Sequence, residues 1–258
     1  MRWIVTVGTT LAVLVTAATA SAASTYNNYS GSRLVIAPAA GSLGKPVGLG
    51  MTEVLAAGAP ASYRAAPLTD IKVQIHGVKL DAGNLPVCTS SLLLQNKTSP
   101  LGRCPRGSLI GSGAVHALLG PASDASSSTE TSCNPYLNVF NGGPKKQVFY
   151  FYTKRATDCG GLTTGSTAPY DGTISYSSGN AVINIPLPPD TSTKVANQPG
   201  LYSSLIGETI GFFKTVGGKP YMMGVGCKNG TRPWSITYTA TLYTGAHETQ
   251  TVNGSSKC

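Results

Sequence analysis

Trp234-Ser235-Ile236-Thr237-Tyr238-Thr239-Ala240-Thr241-Leu242-Tyr243 alternates without a break: Trp234, Ile236, Tyr238, Ala240 and Leu242 fall on one side, serine, threonines and Tyr243 on the other. A period of two residues is the mark of a strand with one buried and one solvated face. The same pattern recurs in Leu68 to Gly77, where Ile71, Val73 and Ile75 alternate with Lys72, Gln74 and His76.

Working outward, shorter strands are expected at 34–36, 52–55, 114–119, 136–140, 147–153, 173–176, 181–185, 209–214, 221–225 and 249–252. Asn141-Gly142-Gly143, Ser178-Gly179-Asn180, Gly217-Gly218 and Lys228-Asn229-Gly230 separate them with residues that tolerate positive φ. Only the segments near Leu92 and Leu201 read as helical, the first because Thr89 and Ser90 precede a run of leucines. The expectation is all-β: an antiparallel β-sandwich, Ig-like or jelly-roll-like, with one or two short helices, forming one domain over 34–258.

The chain opens on Met1-Arg2-Trp3, an apolar run from Ile4 to Ala18, and Ala20-Ser21-Ala22. These are the three parts of a secretory signal, expected over residues 1–22 and followed by a polar leader over 23–33. No second long apolar run follows, so no membrane span is expected after cleavage and the mature protein should be secreted, extracellular or associated with the cell wall.

Six cysteines, Cys88, Cys104, Cys133, Cys159, Cys227 and Cys258, all lie beyond the signal. An even number in an exported chain implies three disulfides. Many connectivities are open in principle; the sequential one, Cys88–Cys104, Cys133–Cys159 and Cys227–Cys258, fits best because each pair closes a short segment. The chain has no C-x-x-C pair, and its three histidines stand far from the cysteines in sequence, so no metal site is expected.

Lysine and arginine number 19 against 10 acids, a formal charge of +9, yet charged residues are only 11% of the chain. The cations are spread, with Lys145-Lys146 and Lys154-Arg155 the densest pairs. Such a field attracts acidic polymers weakly and does not describe a nucleic-acid groove. Between the two pairs, Phe149-Tyr150-Phe151-Tyr152 puts both tyrosines on one face. Tyr150 and Tyr152 with Lys145, Lys146, Lys154 and Arg155 form the candidate ligand patch, for an acidic or polysaccharide extracellular polymer. The competing reading is a strand packed on both faces.

Catalytic constellations are scarce. Gly107-Ser108-Leu109-Ile110-Gly111 lacks the spacing of a nucleophile elbow, and His76, His116 and His247 have no local partner. Asp171 with Glu208 is the one carboxylate pair worth drawing, although Asp171-Gly172 reads more readily as a turn. No D-x-D-x-D loop offers calcium ligands. No catalytic residue and no cofactor is assigned.

The segment Pro86-Val87-Cys88, followed by Cys104-Pro105-Arg106-Gly107-Ser108-Leu109-Ile110-Gly111-Ser112-Gly113, resembles one that recurs in secreted actinobacterial proteins of unknown function. There P-x-C precedes C-P-x-x-S-x-I-G-x-G. With Phe140-Asn141-Gly142 and Pro186 to Pro189 the resemblance spans residues 67–245. It implies a secreted β domain and no particular chemistry. The expected function is therefore non-enzymatic association with an extracellular polymer or envelope component. A secreted hydrolase of polysaccharide or peptide, and a structural coat or matrix subunit, are the alternatives.

Overall fold

The computed structural model describes residues 27–38, 42–55, 57–58, 64–96, 99, 101–126, 129–161, 165–195 and 198–258. The expected signal and the first part of the leader lie outside them. Eleven strands carry the fold: β1 (Arg33–Ala37), β2 (Gly48–Val54), β3 (Leu68–His76), β4 (Leu109–Pro121), β5 (Tyr136–Asn141), β6 (Lys146–Thr153), β7 (Tyr170–Ser177), β8 (Asn180–Pro186), β9 (Leu201–Phe212), β10 (Thr231–Thr241) and β11 (His247–Lys257). All belong to one antiparallel sheet, in the order β11-β10-β3-β8-β7-β6-β5-β4-β9-β2-β1. Short strands at Thr131–Cys133 and Gly165–Ser166 pair with β4 and β6 off this path.

The architecture is all-β and antiparallel, as the alternation requires, but the strands are not divided into the two facing sheets of a sandwich. The single sheet curls until its ends meet. Ser256 Oγ on β11 donates to the Leu34 carbonyl on β1 at 3.2 Å, and the Tyr29 N–H donates to Gln250 Oε1 at 2.7 Å. The result is a nearly closed barrel, a shape that brings the two edge strands together where an open sheet would leave them apart in water. Breaks in register help it bend: Leu205/Gly207 on β9, Leu109/Gly111 on β4 and Thr239/Ala240 on β10.

Period-two alternation sets inside and outside. Trp234, Ile236, Tyr238 and Ala240 of β10 are buried in the barrel core with Ile71, Val73 and Ile75 of β3, while the threonines between them face outward. The segment near Leu201, expected to be helical, instead opens the twelve-residue β9. Residues 201–205 find ready hydrogen-bonding partners in 117–121 of β4, and Gly207 and Gly211 weaken any helix there. The expected turn of helix near Leu92 is present as α1 (Ser90–Leu94), with the Thr89 side chain accepting from the Leu92 N–H.

All three cysteine pairs are bonded sequentially: Cys88–Cys104, Cys133–Cys159 and Cys227–Cys258. The first holds α1 against the outer wall of the barrel, where Leu93 packs with Phe140, Val148 and Tyr150. The motif residues nearby are architectural. The fully buried Asn141 donates through Nδ2 to the carbonyls of Ala82, Leu85 and Pro86 at 3.0–3.1 Å and accepts from the Gly143 N–H, pinning the 82–86 loop to the end of β5. Ser108 Oγ donates to the Pro105 carbonyl at 2.6 Å. A Cβ on Gly113 would stand 2.3 Å from the Thr209 carbonyl oxygen, so β4 can lie this close to β9 only with glycine there.

Candidate functional site

The surface patch expected along β6 is not assembled as one. Lys145-Lys146 lie at the start of the strand and Lys154-Arg155 just past its end, about 25 Å apart at roughly 3.3 Å per residue. Lys146 pairs with Asp171 at 2.8 Å, and Asp171 also accepts from Ser90 Oγ at 3.1 Å. Arg155 is engaged with Asp158 at 3.2 Å. Tyr150 is 0% exposed, covered by α1 and the loop closed by Cys88–Cys104, so no ring can stack on it from solvent. Tyr152 is partly exposed and stacks on Tyr136 with ring centroids 5.3 Å apart, while Lys154 Nζ sits 4.1 Å over the Tyr136 ring. Of the six residues, then, Tyr152 and Lys154 share a small platform with Tyr136, and β6 is packed on both faces.

The other groups singled out are also separated. Asp171 points to the outside of the barrel and Glu208 to the inside. His76 Nδ1 contacts Asn180 Oδ1 at 3.1 Å, His247 Nδ1 contacts Thr241 Oγ1 at 3.3 Å, and His116 is exposed on β4. Among the described residues, no group of three His, Cys, Asp or Glu is placed to hold a metal ion.

The barrel interior holds what the alternation alone did not reveal: a cavity of about 350 Å³. Its body is lined by Leu49, Met51, Ile71, Ile183 and Ile210, and its aromatic side by Phe149, Phe151 and Tyr170. Tyr170 stacks on Phe149 at 5.5 Å between centroids and meets Phe151 at 5.8 Å in a tilted arrangement. Towards one end the lining turns polar, with Ser166, Thr167, Asp190, Thr191 and Ser203. Ser166 Oγ and Thr167 Oγ1 are buried there without a hydrogen-bond partner.

Set into this apolar wall is a pair of carboxyl groups. Glu208 lines the cavity, and in the β2–β9 register it stands directly opposite Glu53. Glu53 is 1% exposed, and neither of its carboxyl oxygens makes a hydrogen bond of normal geometry; its polar neighbours are the Glu208 carboxyl and the Tyr238 hydroxyl. Burial, then the adjacent Glu208, drives the Glu53 carboxyl well above the usual range, and burial pushes Glu208 up to about 7. Two acids at such close quarters cannot both ionise cheaply, so the pair keeps at least one proton at neutral pH. Tyr238 stacks on Tyr29 at 4.4 Å, and burial, the largest cause, and the charge of Glu53 both raise these two phenols.

Glu208 is legible in the sequence as an acid beside a strand, but with Asp171 as its partner; its actual partner, Glu53, lies in a passage rich in glycine and alanine. The signal that finds Glu53 is register: once β2 and β9 are paired, the two glutamates face each other across the ladder. Comparison of the chain with protein-family models, with curated proteins and with solved structures finds no match.

Proposed function

We propose that this is a binding protein that takes one small, largely apolar molecule into the barrel interior. The observation that carries the reading is the cavity itself: about 350 Å³ of space inside a disulfide-braced wall, apolar in its body and polar at one end. Closely packed cores leave few voids of this size, and enclosed sites lined by apolar side chains with a few polar groups are the common form of small-ligand pockets. A secreted setting agrees with the three disulfides; no helix among the described residues is long and apolar enough to cross a membrane.

Titration with a neutral environment-sensitive dye such as N-phenyl-1-naphthylamine tests it. Uptake should saturate at one dye per chain. It should disappear in Ala117→Phe, which fills the lined space from β4, while the circular dichroism spectrum stays unchanged. Absence of saturable uptake by the folded protein would sink the reading, as would uptake indifferent to the Ala117 substitution.

A second reading, association with an acidic extracellular polymer, is favoured by the charge of +9 and by Lys154 stationed over Tyr136 beside Tyr152. Co-sedimentation with cell-wall polysaccharide at low and high salt tests that surface, because binding by charge alone fades as salt screens it.

A further inference from the structure

We infer that the molecule held in the barrel carries a positively charged amine on an apolar, ring-bearing body, and that the Glu53–Glu208 pair receives the amine. The inference rests on the reading of the cavity as a ligand site and names the class of its occupant.

Three observations converge on a cation. The first is the charge inside against the charge outside. The chain as a whole is +9, yet the ionisable carboxyls at the cavity are Glu208, Glu53 behind it, and Asp190 near the polar end, and none of the described lining residues is lysine, arginine or histidine. A basic protein has thus placed acids, and no compensating base, around its interior space. The second is the state of Glu53: a carboxyl 1% exposed whose polar neighbours are the Glu208 carboxyl and the Tyr238 hydroxyl, neither in a hydrogen bond of normal geometry, so the pair keeps acceptor capacity that a donor-rich ammonium fills. The third is the aromatic side. Phe149, Phe151 and Tyr170 line the same space as a packed aromatic cluster, and Tyr170 is close enough to Glu208 and Asp190 for both charges to act on its phenol. Ring faces attract cations and accept the flat side of an aromatic body.

The protons balance. With one proton shared, the pair carries one negative charge, and a protonated amine entering it makes a neutral assembly in the barrel interior. With a second proton the pair is neutral, and the amine's charge is buried uncompensated. Glu208 faces Glu53 on β2 and Tyr170 on β7, and Glu53 in turn faces Tyr238 on β10 and Tyr29 ahead of β1; Asp190 lies near Tyr170, and on the flanking β4 Val115 stands opposite Glu208, with the exposed His116 next to it. None of the inward-facing groups is a cation. Because Glu208 titrates at about 7, amine affinity should be full above pH 8 and fall by about tenfold per pH unit on acidification below 7.

The experiment compares three probes of one shape at pH 8: 1-naphthylmethylamine, 1-naphthylmethanol and 1-naphthoic acid, by calorimetry on the intact protein. The amine should bind at least about tenfold more tightly than the alcohol, and the acid most weakly. Because the exterior is positive, long-range attraction works against this order, so the preference reports the interior. Glu208→Gln should reduce the amine to the level of the alcohol and leave the alcohol unchanged. The double variant Glu53→Gln with Glu208→Gln does the same if the charge moves to the remaining carboxyl. Equal binding of amine and alcohol to the wild type, or a preference that survives the double variant, overturns the inference and leaves the cavity reading standing. Failure of all three probes to bind overturns both.

Discussion

Glu53 and Glu208 are cross-strand neighbours on β2 and β9, turned to the same inner face of the sheet, Glu53 buried and Glu208 half-buried where it opens on the cavity. Like charges directly opposite each other destabilise a ladder, and burial makes the conflict worse. Proteins keep such arrangements when something outside the folding problem needs them.

The pair makes the fold more stable in mild acid than in mild base. Both carboxyls have folded-state values raised above those of the unfolded chain, so the native state binds more protons and stability falls as pH rises through that window. For Glu208 the window runs from the ordinary carboxyl range, about 4.5, to about 7. On account of Glu208 alone, urea unfolding at pH 5 and pH 8 should differ by about 3 kcal/mol, because each pH unit of that window is worth roughly 1.4 kcal/mol, and the raised Glu53 carboxyl adds in the same direction. Glu208→Gln should remove that part of the dependence and raise stability at pH 8, leaving the part that the buried Glu53 contributes.

Removing the Asn141 side chain strands three carbonyls. Asn141→Ala leaves the groups of Ala82, Leu85 and Pro86 without their shared donor in a buried corner, and the loss should be about 2–4 kcal/mol. Asn141→Asp keeps the shape but cannot donate, and should be no better. Chemical denaturation of both variants is the check; an aspartate variant as stable as the wild type would show that shape alone holds the 82–86 loop.

Gly113→Ala tests the close approach of β4 and β9. Its Cβ would meet the Thr209 carbonyl oxygen at 2.3 Å, and the nearest atoms are backbone that cannot swing aside. A drop of at least about 2 kcal/mol is expected, in the range of overpacked cores. Gly50 has nothing near its missing Cβ, so Gly50→Ala should be close to neutral in the same assay.

Tyr150 and Tyr152 should separate stability from surface chemistry. Tyr150→Ala empties a fully buried site beneath α1 and should cost about 3 kcal/mol. Tyr152→Ala, on the half-open platform with Tyr136, should cost less than about 1 kcal/mol and is the variant to use against polymer adhesion. Polymer binding lost in Tyr152→Ala at unchanged stability would support the platform.

The strands most legible in sequence are those whose alternation is chemically sharp, β3 and β10, since isoleucine, valine or tryptophan every second residue admits no other regular structure. β11 is legible only over 249–252, although it runs from His247 to Lys257, because its threonines, glutamine, asparagine and serines carry no apolar rhythm. Its length comes from pairing with β10. Period two reports which face is buried and not how many sheets share the core, so it hides the barrel. Closure depends on Ser256 meeting Leu34 across 222 residues, which no local spacing records. The site is hidden for the same reason. Alternation puts Tyr150 and Tyr152 on one face of β6, but the covering by α1 is a tertiary fact, and Glu53 becomes visible only through its partner on β9.

The closing contact between β1 and β11 also sets a condition on when the interior exists at all. A chain lacking its last strand is an open sheet whose apolar face and two bare edges stand in water, prone to pair with other chains. Joining positions so distant in sequence is among the slow events of β-protein folding. The chamber is therefore a property of the completed barrel, since its wall needs the first and last strands side by side.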